Sequence, residues 1–479
     1  MLPSLRFLSP DEQESVHEAS LSVLSTVGVH VHSGRARKIL KSAGAVVEES
    51  EKIVKITTDM VDEALRTAPK AFVLGARNPE RDFRMPSYYS GYVLDSGGIF
   101  IIDFNTGERR NFVEKDMHEL NRVFDQFKLA AILWPPTVND FPTHSASLRE
   151  DIASFMSSSL HIQSELHHPG EVPFMIEALA AITGSEDAVR ERKLYSVVYC
   201  PLAPLTHEEY MCDAFLDLIQ WEVPICVFPM PCAGSTGPAS IYSNIVQSNA
   251  EALSSLVLFQ MARPGTPIIF GDASGSTHFQ NGAFLEGSPE MVLQTAARGE
   301  MARYYGLPNE QAGCLTEAKV PGNQAVMEKV ITTLPLVLGG ADLVQGPGAL
   351  ETSNTLCLEQ VVVDEEIALM CKRLRDGIDL SAEKDLQEDI KRVGPGGHFL
   401  GEESTLAACR SDEFLEPRLV DRNSYEEWKN LGSPDVYTKA RERVEEILSS
   451  PQPDPLPDGV IGKLEEIMVR ADEQLSESH

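Results

Sequence analysis

The sequence has few basic residues for its length. Its 479 residues include 41 Lys and Arg against 72 Asp and Glu, which gives a formal net charge of −31. Nucleic acids and anionic membranes are bound by basic surfaces, so neither is expected as a partner. The excess negative charge is expected to serve solubility, and an acidic rim would also attract small cationic molecules.

Long apolar runs are also missing. No stretch approaches the roughly 20 apolar residues needed to cross a bilayer. The N-terminal sequence MLPSLRFLSPDEQE turns acidic too early for a signal peptide. We therefore expect a cytoplasmic protein without a membrane anchor.

The eight cysteines form no CxxC pair. A chain of this length does not need disulfides, so free thiols in a reducing compartment are expected. Neither the spacing of Cys200 and His207 nor that of Asp272 and His278 resembles a metal-ligand pattern. No metal is therefore expected.

Short apolar segments alternate with helical patterns along most of the chain. Such alternation indicates a parallel sheet covered by helices, either open or closed into a barrel. An open, doubly wound sheet would carry a glycine-rich phosphate turn after an early strand, and none is present. We predict an α/β fold, a TIM (β/α)8 barrel, with seven strands at 129–134, 160–163, 194–200, 224–230, 267–270, 313–315 and 341–344. The eighth strand is obscure and is expected near 398–400.

Three regions are expected along the chain. Residues 1–120 should form an N-terminal extension of helices and a β-hairpin that turns at 105–107. Residues 121–435 should form the barrel. Residues 436–479 should form a C-terminal helical segment.

Several segments carry a family resemblance. Two of them run from a short strand through a polar loop into a helix: LPNEQAGCLTEAKVPGNQAVMEK from Leu307 and GGADLVQGPGALETSNTLCLEQVVVDEE from Gly339. Others are VLD at 93–95, TGERR at 106–110, MPCAGST at 230–236, GGHFL at 396–400, and DR at 421–422 with Trp428. In this order, over nearly the whole chain, they resemble the trimethylamine methyltransferase superfamily, whose members demethylate methylamines onto a corrinoid protein.

The resemblance also implies a substrate class. Methylamine-specific members carry pyrrolysine at a position that falls near Thr355 or Leu356 in this chain, and neither side chain can form an adduct with an amine. The chain therefore resembles members without pyrrolysine, which act on quaternary amines. Glycine betaine, giving dimethylglycine, is the expected substrate, with carnitine, proline betaine or another betaine as alternatives. The implied acceptor is the cobalt(I) of cobalamin on a separate corrinoid protein, not bound tightly by this chain. A homo-oligomer is also expected.

The carboxyl ends of barrel strands hold the active site, which gives a set of candidate residues. Aromatic faces bind quaternary ammonium groups, so Trp134 and Phe270 are candidates for that role. Glu165, Asp272 and Glu317 are candidate counter-charges. Further candidates for substrate binding are Met230, Gln345, Thr355, Leu356 and His398, with His207 and the backbone at 234–236 as other donors for a substrate carboxylate. Glu351 and Asn354 are expected to face the corrinoid protein.

Each candidate also has a structural interpretation. The aromatic rings can serve packing, Asp272 can cap a helix, and Glu317 can pair with Lys319. No residue is assigned a catalytic role. A non-catalytic barrel that binds the amine or the corrinoid protein is the alternative function, because a fold does not establish an activity. A lyase with a Schiff-base lysine is disfavoured, since Lys319 lies beyond its strand.

Overall fold

The computed structural model describes residues 4–476 and contains a closed barrel of eight parallel strands. In chain order the strands are β1 (Gly91–Val93), β2 (Ala130–Leu133), β3 (His161–Ser164), β4 (Tyr195–Tyr199), β5 (Ile225–Val227), β6 (Ile268–Asp272), β7 (Asn309–Ala312) and β8 (Leu343–Gln345). Each strand pairs with its neighbour in this order, and β8 pairs with β1. The predicted TIM barrel is confirmed.

Helices follow the strands and surround the barrel. They are Glu114–Asp125, Ala146–Ser157, Val172–Thr183 with Glu186–Arg192, Glu209–Leu218, Ile241–Ala262, Pro289–Tyr304, Asn323–Gly339 and Leu358–Asp376. Many begin at a serine N-cap, as at Ser240 and Ser288, whose hydroxyls accept a backbone N–H of the first turn. Short 3-10 helices lie at Pro79–Arg81, Pro169–Glu171, Ile219–Trp221 and Ala382–Lys384.

Two barrel strands differ from the sequence prediction. The missing strand is β1, which lies inside the region expected to form the hairpin, whereas 398–400 is irregular and exposed. β7 spans Asn309–Ala312, just before the predicted 313–315. The sequence NEQA lacks the apolar pattern by which the other strands were predicted. The fold accommodates these polar residues because Asn309 bonds Asp342 at 2.9 Å and Glu310 bonds Gln163 inside the barrel.

The N-terminal region covers one side and the amino-terminal end of the barrel. It contains helices Pro10–Thr26, Gly34–Ser42 and Thr58–Thr67, and strands Val29–Val31, Val46–Glu48 and Ile53–Lys55. Strands Phe72–Leu74 and Phe83–Met85 form a hairpin against that end. A Cβ at Gly91 would lie 2.7 Å from both the Phe83 ring and the Ala131 Cβ, so this close packing requires glycine.

Short strands build a rim around the opposite end. Phe100–Ile102 and Arg109–Asn111 form the expected hairpin, and Thr355–Leu356 joins it together with Ala349–Leu350. A second rim sheet holds Cys232–Ala233, Gly275–Thr277 and Phe284–Leu285, and Thr206–His207 pairs with the N-terminal sheet. Helices Val436–Ser449 and Asp458–Ser476 lie in the C-terminal segment. Three short helices that were not expected, Gln387–Val393, Glu403–Cys409 and Tyr425–Asn430, precede them in a region that the sequence assigned to the barrel. Within residues 4–476, no helix is long and apolar enough to cross a membrane.

Candidate active site

Side chains of the barrel strands alternate between the interior and the surrounding helices. On β6, Ile269 belongs to the interior cluster and Phe270 to the outer core. A Cβ on Gly271 would lie only 2.3 Å from the Phe228 ring, so glycine makes room for that ring inside the barrel. The same alternation turns a set of polar and thiol side chains inward: Gln163, Glu165, Cys200, Cys226, Glu310 and Gln345.

A fully buried polar contact joins β3 to β7. Gln163 Nε2 donates to Glu310 Oε2 at 3.1 Å, and both side chains are fully buried. Gln163 Oε1 and Glu310 Oε1 receive no hydrogen bond from any described residue. Burial raises the pKa of Glu310 to about 7. The middle of the barrel therefore contains a carboxyl group that is poised between its neutral and ionised forms near neutral pH.

A second carboxyl lies nearer the mouth. Glu165 keeps some exposure, and the Cys200 thiol donates to its Oε1 at 3.5 Å. Burial raises the pKa of Glu165. Burial, with the neighbouring Glu165, also raises the pKa of the Cys200 thiol well above its usual value. The thiol therefore stays protonated and is a poor nucleophile.

Aromatic rings and an amide complete the upper interior. Trp134 meets Phe228 edge to face, with 6.2 Å between ring centroids, and is 7% exposed. Gln345, the last residue of β8, is 8% exposed. None of the eight barrel strands contains Lys or Arg. The interior thus combines carboxyl groups and aromatic rings with no strand-borne cation, a composition that suits a positively charged ligand.

Two buried carboxyls share one hydroxyl at the mouth. Ser353 Oγ lies 2.8 Å from Asp95 Oδ2 and 2.7 Å from Glu286 Oε2. A hydroxyl has one hydrogen, so it donates to one carboxyl and the other must carry a proton to complete the bond. Burial raises the pKa of Asp95, and burial together with Asp95 raises the pKa of Glu286 to about 8. The pair therefore holds a proton at neutral pH.

Glu317 supports this arrangement. Its Oε1 accepts the backbone N–H groups of Glu286 and Gly287, both at 2.6 Å. Lys319 Nζ donates to the Glu317 carbonyl oxygen at 2.7 Å, so the side-chain pairing considered from the sequence is a contact with the backbone. Glu317 therefore fixes the segment that carries Glu286, at the edge of the mouth.

Two predicted residues face away from the interior. Phe270 packs against Tyr305 and beneath the guanidinium of Arg298. Asp272 pairs with Arg298 at 3.3 Å and accepts hydrogen bonds from Ser248 and Ser274. Both are fully buried among the helices. Their position favours the structural interpretation over contact with substrate.

The pyrrolysine-equivalent region lies in the rim. Thr355 and Leu356 are fully buried in the rim sheet, and Thr355 Oγ1 donates to Glu351 Oε2 at 2.5 Å. Arg109 Nε bonds the same Glu351 oxygen at 2.7 Å. Asn354 is exposed and bonds the carbonyl oxygen of Glu351 at 2.9 Å. Glu351 and Asn354 therefore lie on the outer edge of the mouth.

The other predicted donors are dispersed. Met230 follows β5 and is 40% exposed. His207 is buried and bonds Tyr199 and Ser254, so its ring is already engaged. His398 is exposed in the C-terminal region. In the glycine-rich turn, the N–H groups of Gly234 and Ser235 already donate to backbone carbonyls.

The prediction missed Gln163, Glu310, Asp95, Glu286 and Ser353. Glu310 could have been found from the sequence if β7 had been placed correctly, because it lies two residues before Ala312 and therefore on the same, inward face of the strand. Asp95, Glu286 and Ser353 come together only through the fold. Among residues 4–476, no group of three or more His, Cys, Asp and Glu side chains is arranged to hold a metal ion.

Known proteins align with this chain over nearly its whole length. "Trimethylamine methyltransferase MttB" of Desulfitobacterium hafniense is 30% identical over 467 residues, covering 97% of this chain and 94% of the relative. "Glycine betaine methyltransferase" of the same species is 27% identical over 480 residues, covering 100% and 99%. The solved monomethylamine methyltransferase MtmB of Methanosarcina barkeri aligns with a TM-score of 0.49 at 12% identity, covering 91% and 92%. The family model for trimethylamine methyltransferase (MTTB) matches residues 1–476, and the chain belongs to this family.

Proposed function

We propose that this protein transfers a methyl group from a small quaternary amine, glycine betaine in the first instance, to the cobalt(I) of a separate corrinoid protein. The barrel interior carries this proposal: it contains two carboxyl groups, Glu165 and Glu310, and the Trp134 ring, and no barrel strand carries Lys or Arg. A quaternary ammonium has no N–H to donate, so charge and aromatic faces are the features that recognise it.

The side chains inside the barrel favour a methyl acceptor that is supplied by a separate protein. Its two thiols are the inward-facing groups that could take a methyl group, and burial raises the pKa of both Cys200 and Cys226 well above the usual value. Neither is an active thiolate at neutral pH. A corrinoid partner would supply the strong cobalt nucleophile. The barrel then has to bind the cation, exclude water and direct one methyl group toward the mouth.

No general acid is needed for this reaction. The bond between carbon and nitrogen breaks as the methyl group leaves, and its electron pair stays on nitrogen, so the departing tertiary amine is neutral. The loss of positive charge would also weaken product binding beside Glu165 and Glu310, which favours release.

Glycine betaine also has a carboxylate, which needs a donor away from the interior carboxyls. Gln345 lies at the upper interior, and Arg109 and Lys319 lie on the rim. A small betaine placed with its ammonium between Trp134 and Glu165 would direct its carboxylate toward these groups. The 27% identical glycine betaine methyltransferase supports this substrate over longer betaines.

A binding comparison tests charge recognition directly. Calorimetric titration should show binding of glycine betaine and none, or far weaker binding, of 3,3-dimethylbutanoate, which replaces the charged nitrogen by carbon and keeps the shape. Equal affinity for the two would contradict recognition of the cation. Carnitine and proline betaine belong in the same series, and a clear preference for either would replace glycine betaine as the substrate.

A further inference from the structure

A lysine is buried beside the turns that follow β7 and β8. Lys329, on the helix between these strands, is fully buried, and so is Asp364, whose carboxylate lies 2.8 Å from the lysine Nζ. The ammonium also donates to the carbonyl oxygens of Cys314 at 2.7 Å and Gly346 at 3.2 Å. An ammonium has three N–H donors, so all of them are used. Lys329 therefore joins a turn after β7, a turn after β8 and the helix that follows β8.

Both turns adopt backbone conformations that need support. The φ angle is 55° at Cys314 and 135° at Gly346. A Cβ at Gly346 would lie 1.9 Å from the Gly313 carbonyl oxygen, so the two turns pass each other too closely for a side chain. A left-handed residue other than glycine persists only where its surroundings hold it. The Lys329 ammonium provides such a hold, because it bonds a carbonyl oxygen in each turn.

Two parts of the rim rest on these turns. In the loop at 351–353, the N–H groups of residues 351 and 352 donate to the carbonyl oxygens of Ala318 at 2.8 Å and Thr316 at 3.0 Å, just after the first turn. The N–H of Asp95 donates to the Pro347 carbonyl oxygen at 3.4 Å, in the second turn. Asp95 and the loop at 351–353 therefore depend on backbone that the buried ammonium holds.

The charge of Lys329 also acts on the carboxyl pair at the mouth. Burial raises the pKa of Asp95 and of Glu286, and the Lys329 charge acts in the opposite direction on both pKa values. Burial acts to lower the pKa of Lys329 itself, but Asp364 and the groups around it raise that pKa by more, so the lysine stays charged. One buried cation thus interacts both with the backbone of the rim and with the carboxyl groups attached to it.

We propose that Lys329 is a positioning residue for the part of the rim that the methyl acceptor meets. It bonds backbone and a neighbouring carboxylate inside the protein, so it acts through the loop at 351–353 and not by contact with substrate. The effect of Lys329 on methyl transfer rests on the proposed function, whereas its effect on the loop does not.

A double variant separates positioning from stability. Removing one partner of a buried ion pair is strongly destabilising, whereas replacing both partners with apolar residues of similar volume is often neutral. Lys329→Met with Asp364→Leu should therefore keep a melting temperature close to that of wild type. Hydrogen exchange of the amides of Glu351 and Thr352 at pH 7 should nevertheless become faster by about tenfold or more, with the barrel strands unaffected. Unchanged exchange at both amides would overturn the proposal.

Thr333→Val is the matched control. Thr333 is fully buried one turn further along the same helix, and its hydroxyl donates to the Lys329 carbonyl oxygen at 2.6 Å within that helix. In this variant the amides of Glu351 and Thr352 should exchange as they do in wild type. Equal acceleration in Thr333→Val and in the double variant would assign the effect to the helix and contradict a role for the ammonium.

Methyl-transfer rates connect the loop to the reaction. In the double variant, transfer from glycine betaine to the protein-bound corrinoid should fall by about tenfold or more, with a smaller loss for free cob(I)alamin and a wild-type Kd for glycine betaine. A merely structural ion pair would leave the ratio of the two rates unchanged, and that result would contradict positioning. If wild type transfers no methyl group to either acceptor, the proposed function fails, and the exchange rates still decide whether Lys329 holds the loop.

Exchange of the unmodified protein in low denaturant gives a second readout if the double variant fails to fold. The Gly348 amide donates to Asp364, and the amides of Glu351 and Thr352 donate to the backbone after β7. Because Lys329 joins these groups, the three amides should open together as one cooperative unit. Separate opening of Gly348 and of the loop would contradict the proposal.

Discussion

Gln163 and Glu310 share a hydrogen bond of 3.1 Å inside the barrel, and each has a second side-chain oxygen that no described residue bonds. This contact holds the Glu310 carboxyl inside the barrel without an ion pair. The charge of Glu310 is therefore free to respond to ligand and to pH.

Cation binding should strengthen as pH rises through about 7. Burial raises the pKa of Glu310 to about 7, so its carboxyl is neutral below that pH and ionised above it. Titration of wild type with glycine betaine from pH 6 to 8 should show affinity increasing with pH. Glu310→Gln should bind more weakly at pH 8 and lose most of this dependence, whereas exposed Glu383→Gln should behave as wild type. If Glu310→Gln keeps the wild-type pH dependence of binding, that dependence arises from another titratable group.

The same carboxyl should reduce stability at high pH. The folded-state pKa of Glu310, about 7, lies above its usual value of 4.5, so the folded state binds the proton more tightly. Stability is then lost as pH rises from about 4.5 through 7. Glu310→Gln should raise the melting temperature relative to wild type more at pH 8 than at pH 5. An equal shift at both pH values would contradict the pKa assignment.

Trp134→Ala should weaken substrate binding more than it weakens the fold. Loss of a cation–π contact predicts a cost of about 0.5–2 kcal/mol, a 2- to 30-fold rise in Kd. Trp134→Phe keeps a ring and should lose less. If Trp134→Ala instead loses about 3–5 kcal/mol of unfolding free energy with no separate binding defect, the ring serves packing against Phe228.

The loop at 351–353 should loosen at alkaline pH. Glu351, Thr352 and Ser353 have φ values of 56°, 54° and 60°, a left-handed run that costs each residue energy and needs external support. Support comes from the Ser353 hydroxyl, which lies between Asp95 and Glu286. The nearby Glu317 carboxylate raises the pKa of Glu286, and Lys329 lowers it. Above pH 8, ionisation of Glu286 removes one of these bonds.

Hydrogen exchange of amides 351–354, corrected for intrinsic rates, should therefore increase between pH 7 and 9 in wild type. Glu286→Gln mimics the protonated carboxyl and should remove the increase. A loop whose corrected exchange is the same at both pH values would show that the shared proton does not hold it.

The loop at 351–354, on the rim of the barrel mouth, should contact the corrinoid partner. Asn354→Trp adds bulk at an exposed position beside Glu351 and should slow methyl transfer to the protein-bound corrinoid more than to free cob(I)alamin. Glu191→Trp, an equally exposed change just before β4 at the other end of the barrel, should leave both rates unchanged. Equal losses with both acceptors would place Asn354 in the substrate pocket instead.

The sequence predicted the barrel because its alternating strands and helices are local patterns. It could not show which face of a strand each residue occupies, since a shift of one residue exchanges the two faces. Phe270 and Asp272 illustrate this, because both follow an apolar run and both point outward to Arg298. Short β1 and polar β7 lacked the apolar signal. The cluster of Asp95, Glu286 and Ser353 joins three distant loops, a contact that no local pattern contains.

The central claim is methyl transfer from a quaternary ammonium. Its most direct test mixes the purified protein with cob(I)alamin and one amine at a time, and follows methylcobalamin formation by its absorption spectrum. Glycine betaine should give methylcobalamin and an equal amount of dimethylglycine, while trimethylamine should give none. Methylcobalamin from trimethylamine, or none from any quaternary amine with either free or protein-bound corrinoid, would contradict the account.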